Sequence, residues 1–122
     1  MLRKKYAWIA PLSWALLIFY VSSRSTLPSL VEFKSSDKFM HVLAYIPMGF
    51  LLMYAMRETP ELFPSKQAFL AALLGTLYGI SDEIHQLYVP GRHFELLDIA
   101  ADSAGVILGI IIFTLLLRYF PK

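Results

Sequence analysis

Asp98, Asp102, Gly105 and Gly109 recur at steps of four, three and four residues, and Gly75, Gly79, Glu83 and Gln86 follow similar steps in the reverse chemical order. On helices, each set shares one face. Antiparallel packing of two such helices brings the glycines together at one level and the carboxylates and the amide together at another. Asp37, Lys38, His41, Tyr45 and Arg92 are the remaining binding candidates, with His41 and Tyr45 one helical turn apart. Glu83 and His41 are the candidate catalytic pair, as acid and base. Lys38 and Arg92 can neutralise a phosphate or carboxylate, and Glu83, Arg92 and Asp98 are expected to form one coupled network. His41, Glu83, Asp98 and Asp102 offer nitrogen and oxygen donors, yet their spacing matches no tight ligand motif, so no metal and no cofactor is assigned. There is no G-x-S-x-G, and Ser81 and Ser103 lack a nucleophile elbow.

Each of these residues also has a plainer role. The glycines serve first as close-packing points between helices. Asp37 and Asp98 suit helix N-termini, where the dipole favours an acid. His85 and His93 fall off the stripe and are expected to be solvated, and Trp8, Trp14 and most tyrosines read as interfacial belt or packing.

The elements that must position these groups are apolar. The 122 residues are 57% hydrophobic and 16% charged, with a mean hydropathy of +0.58, which suits a small helical membrane bundle better than a soluble domain. With no cysteine in the chain, disulfides and thiolate metal sites are excluded. Apolar runs predict helices at about 6–22, 39–57, 67–88 and 97–119, joined by short loops that contain Pro28, Pro60, Pro64 and Pro90-Gly91. Pro47 is a candidate kink in the second. The expected fold is an all-α, polytopic four-transmembrane-helix bundle formed by one domain, 1–122. The first run follows Arg3, Lys4 and Lys5 as a signal peptide would, but Val21-Ser22-Ser23 is a poor cleavage site, so the run is read as a retained helix.

Basic residues set the expected orientation. Arg3, Lys4, Lys5, Arg57, Lys66, Arg118 and Lys122 fall on one side, against Arg24, Lys34, Lys38 and Arg92 on the other. Seven against four places both termini in the cytoplasm. A rise of ~1.5 Å per residue then sets Glu83 about 8 Å below Tyr88, Asp102 about 8 Å below Leu97 and His41 about 6 Å below Asp37, all in one layer near the outer face.

Asp37-Lys38 with His41, Tyr45 and Gly49, Ser81-Asp82-Glu83 with Gln86, Pro90-Gly91-Arg92, and Asp98 with Ala104-Gly105 and Gly109 together resemble the pattern of the VanZ-like membrane proteins, a family associated with teicoplanin resistance. The resemblance spans Asp37 to Gly109. Where the family pattern usually has Asn, this chain has Asp102, which adds an ionisable group. The resemblance implies a family and not a reaction: a multi-pass protein of the bacterial cytoplasmic membrane that affects the envelope's response to lipophilic glycopeptides. The expected partners are membrane lipid and a lipid-linked anionic ligand, such as a cell-envelope precursor head group, with no nucleic acid. Two alternatives stand beside this reading: a membrane-embedded acid/base enzyme acting on a lipid-linked substrate, and a structural interaction protein in which the polar residues only fix helix register.

Overall fold

The computed structural model describes residues 2–25, 36–59 and 61–121. Pro28, Lys34, Pro60 and Lys122, which enter the loop assignments and the basic count, lie outside them. The described residues form five helices and no strand: α1 Leu2–Tyr6, α2 Ile9–Ser22, α3 Ser36–Arg57, α4 Pro64–Gln86 and α5 Leu96–Tyr119. The all-α expectation holds.

The boundaries have local causes. Pro11 has no N–H to give the Ala7 carbonyl, and its ring crowds that oxygen, so the first apolar run breaks at Ala7-Trp8 into α1 and α2 instead of forming one helix. α3 starts three residues earlier than expected and takes Asp37 into its first turn, where an acid favours the helix dipole. It runs through Pro47 without a break. Pro64 opens α4 at a position where a missing N–H costs nothing, behind an extended Phe63. Gly91, at φ 79°, takes the left-handed conformation that the turn before α5 requires.

α3 and α5 share the most extensive interface, and α4 packs against both. Three glycines allow backbone to approach backbone there. A Cβ on Gly49 would lie 2.0 Å from the Val106 carbonyl oxygen, one on Gly105 2.5 Å from that of Val42, and one on Gly109 2.0 Å from that of Ile46. These contacts make α3 and α5 parallel, whereas Gly75 against Val106 and Gly79 against Asp102 make α4 antiparallel to α5. The pairing of glycine with glycine inferred from the two stripes is therefore corrected: the glycines of α5 meet α3, and those of α4 meet side chains of α5. Tyr45, Met48, Leu52, Ala71, Val106, Ile110 and Phe113 fill the core between the three helices.

α2 adds Ile18 to the edge of this core and is tied to it by two side chains that reach backbone carbonyls. Trp14 Nε1 donates to Ala44 at 2.8 Å, and Tyr78 Oη donates to Ala15 at 2.5 Å. Large apolar side chains remain exposed along α2 and α5, among them Leu12, Leu16, Ile107, Ile111 and Leu115. Among the described residues, two helices, Asp37–Arg57 and Leu96–Tyr119, are long and apolar enough to cross a membrane. α2, with 14 residues, extends about 21 Å, short of a ~30 Å hydrocarbon core, and α4 is polar over its last turns. Lys4 pairs with Glu61 at 3.3 Å at one end of the bundle, and Arg92 reaches the Arg24 carbonyl at the other.

Candidate functional site

Parallel pairing of α3 with α5 sets Lys38 level with Asp98 and His41 level with Asp102, and the last turns of antiparallel α4 arrive opposite them. Lys38 Nζ contacts Asp98 Oδ1 at 2.7 Å, Asp37 Oδ2 at 2.5 Å and the Glu95 carboxylate. One turn deeper, His41 Nδ1 lies 2.7 Å from Asp102 Oδ1 and 3.9 Å from Glu83 Oε1, and His41 Nε2 lies 3.5 Å from Asp98 Oδ2. Glu83 Oε2 accepts the Glu95 backbone N–H at 3.2 Å. On the α2 side of this layer, Asp82 Oδ2 accepts from Tyr45 Oη at 3.3 Å and from Gln86 Nε2 at 3.5 Å, and Gln86 also donates to Ser22 Oγ.

Four carboxylates in this layer, Asp82, Glu83, Asp98 and Asp102, are buried, with Glu83 and Asp102 at 0% exposure. Against them stand Lys38 and His41. Not every oxygen is satisfied: Glu83 Oε1 and Asp102 Oδ2 are buried and accept no hydrogen bond among the described residues. His41, Glu83 and Asp102 bring one imidazole nitrogen and two carboxylate oxygens to within 4.8 Å of one another, the donor set of a nitrogen–oxygen cation site.

Beside the charged layer lies a cavity of about 400 Å³ between α2, α3 and α4. Its walls are apolar, from Trp14, Leu17, Val21, Met40 and Leu43, and its polar lining is Ser22, His41, Tyr45, Asp82, Gln86 and Arg92. The layer and the cavity thus share His41, Tyr45, Asp82 and Gln86.

The structure brings Asp37, Lys38, His41, Glu83, Asp98 and Asp102 into direct contact, with Tyr45 and Gln86 joined to the layer through Asp82. Arg92 is the exception. Its guanidinium donates to the Arg24 carbonyl at 3.4 Å and forms no ion pair among the described residues. The expected network of Glu83, Arg92 and Asp98 is therefore corrected: Lys38 is the cation on Asp98. The turn at Gly91 directs Arg92 toward α2 and the cavity instead. His85, expected to be solvated, stacks on Phe19 with ring centroids 4.4 Å apart and meets Ser23 Oγ at 3.2 Å. His93 is exposed, as expected.

Asp82, Glu95 and Ser22 also belong to the site, although the sequence reading does not select them. Asp82 is four residues before Gln86 and Glu95 three before Asp98, so helical spacing carried a signal for both. Ser22 carried none, because its partner lies on another helix.

The sequence model of the VanZ/LLP1 family matches residues 6–117. The chain belongs to the VanZ/LLP1 family. Neither a curated protein nor a solved structure matches it. The family match extends across α2 to α5, so the charged layer and the cavity both lie within the VanZ/LLP1 region.

Proposed function

We propose that this VanZ/LLP1 protein is a multi-pass protein of the bacterial cytoplasmic membrane that takes the anionic head group of a lipid or lipid-linked envelope precursor into the cavity between α2, α3 and α4. Through that binding it alters susceptibility to lipophilic glycopeptides. In this reading 1–122 is one domain, α1 and α2 together and each of α3 to α5 cross the bilayer with both termini in the cytoplasm, and the cavity opens near the outer leaflet.

The observation that carries the reading is Arg92. A guanidinium lining a mostly apolar cavity, with no carboxylate partner among the described residues, is a receptor for a planar anionic group. Lys38, in the charged layer, is already surrounded by three acids. The apolar walls accept the first part of a lipid chain, and about 400 Å³ is within the range of small-ligand pockets.

Native mass spectrometry of the protein released from membranes tests this. Anionic lipid should be retained by the wild type, retained less by Arg92→Lys and lost from Arg92→Ala. A charge-assisted contact of about 1.5–3 kcal/mol corresponds to a loss of roughly 10- to 100-fold in affinity. Equal retention of zwitterionic and anionic lipid, or full retention by Arg92→Ala, refutes the assignment. In cells, Arg92→Ala should abolish the glycopeptide phenotype while expression is unchanged.

The contact between His41 and Asp102 favours a second reading, acid/base catalysis on the bound lipid with His41 and Glu83 as the proton-transfer groups. Its mark is turnover. A lipid-linked substrate incubated with wild type should be converted to product, and with Glu83→Gln it should be bound and left intact.

A further inference from the structure

We propose that His41, Glu83 and Asp102 form a binding site for a divalent first-row transition cation, buried where α3, α4 and α5 meet. Bonds of ~2.0–2.2 Å from such an ion to nitrogen and oxygen hold neighbouring donors about 3–3.5 Å apart. His41 Nδ1 lies 2.7 Å from Asp102 Oδ1 and 3.9 Å from Glu83 Oε1, distances that bracket this value. All three donor atoms lie within 4.8 Å of one another, so side-chain shifts bring them onto one ion and leave a further coordination position open toward the cavity.

Glu83 supplies the independent sign of a ligand. The side chain is fully buried, Oε2 is held by the Glu95 N–H, and Oε1 faces His41 without a hydrogen-bond donor among the described residues. Buried carboxylate oxygens without a donor are costly and uncommon, and a cation is one of the few groups that satisfies them. Charge points the same way, because among the described residues Glu83, Asp98 and Asp102, all buried, are paired with no cation but Lys38 and His41, and a doubly charged ion offsets much of the excess.

The outer contacts are those that a metal-binding histidine uses. Its free ring nitrogen usually donates to a carboxylate, which fixes the tautomer and the ring plane. Here Nε2 lies 3.5 Å from Asp98 Oδ2, and Asp98 is itself anchored by Lys38. Any Nδ1 proton is released to solvent as the ion arrives, while Nε2 keeps its N–H on the side of Asp98. One imidazole with two carboxylates, and no thiolate, suits Zn²⁺, Mn²⁺ or Fe²⁺ better than Ca²⁺ or Mg²⁺. His41 also lines the cavity, which gives the ion a route in. The site stands independently of the head-group reading, since packing of α3, α4 and α5 fixes its ligands and Arg92 takes no part.

The test uses the full chain in detergent, purified without a histidine tag, stripped with EDTA and then equilibrated separately with Zn²⁺ and Mn²⁺. Elemental analysis after dialysis should give one ion per chain for at least one of the two metals. Asp98→Asn, which removes a positioning residue, should weaken binding about 10- to 100-fold, and His41→Ala and Glu83→Gln at least as much. Glu61→Gln, at the other end of the bundle where Glu61 pairs with Lys4, should bind normally. Co²⁺ should give a visible ligand-field band with the wild type that His41→Ala removes. The bound ion should also raise the Tm of the wild type, a readout that needs no variant to fold. Wild type that binds neither metal above the detergent blank overturns the proposal. So does unchanged binding by folded His41→Ala and Glu83→Gln.

Discussion

Gly49→Ala should destabilise the protein although alanine is the better helix former. The new Cβ would sit 2.0 Å from the Val106 carbonyl oxygen, and real Cβ atoms essentially never approach closer than 3.0 Å, so α3 and α5 must separate by about 1 Å at that level. The obstacle is backbone in a helix and cannot rotate away. Overpacking costs about 1–3 kcal/mol, and a clash with fixed backbone belongs near the upper end. Removing glycine from a helix interior returns about 1 kcal/mol. The net loss is about 2 kcal/mol, roughly a 30-fold fall in the ratio of folded to unfolded protein. Gly79→Ala is the internal comparison. Its Cβ would meet the Asp102 side chain at 3.0 Å, a contact relieved by a few tenths of an ångström, so the helix gain and the crowding should cancel to within about 0.5 kcal/mol. Reversible unfolding in mixed micelles, followed by far-UV circular dichroism, measures both, with Gly105→Ala expected between them. If Gly49→Ala is as stable as Gly79→Ala, backbone contact between α3 and α5 is not what sets the register of the charged layer.

Lys38→Met leaves Asp98 buried without its cation and should cost about 3 kcal/mol, the lower end for a broken buried pair because Lys38 is partly exposed. Adding Asp98→Asn should recover a substantial part of that loss in the same unfolding assay; additive losses would show that the contact carries no coupling. Arg92→Ala, by contrast, should change stability by less than about 0.5 kcal/mol, since its guanidinium holds only one long hydrogen bond. For topology, reporter fusions after Lys66 and Lys122 should read as cytoplasmic and fusions near Lys34 and Arg92 as external; a cytoplasmic Arg92 loop would move the cavity to the other leaflet.

Much of the site was legible because helical periodicity is a property of the chain alone. Steps of three and four residues put Asp98 and Asp102 on one face, gave Glu83 a face shared with Gly79, and paired His41 with Tyr45. A constant rise per residue placed His41, Glu83 and Asp102 at one depth, and the structure joins those three. Composition gave the all-helical class, and the ordered motifs from Asp37 to Gly109 gave the family that the match over residues 6–117 establishes.

The sequence could not say which helix lies beside which, or in what direction. The choice of Lys38 over Arg92 as the partner of Asp98 follows from α3 running parallel to α5, and that direction is held by Gly49, Gly105 and Gly109 against carbonyls of the facing helix. Nothing local to Lys38 or Arg92 encodes it. The same holds for Ser22 on Gln86, for His85 stacked on Phe19 and for the cavity that α2 closes, all of which depend on an α2 anchored by Trp14 and Tyr78. Spacing along one helix determines which residues share a face, because the backbone fixes it. The partner each face meets is decided by packing among all the helices, where a few small residues set how closely two backbones approach.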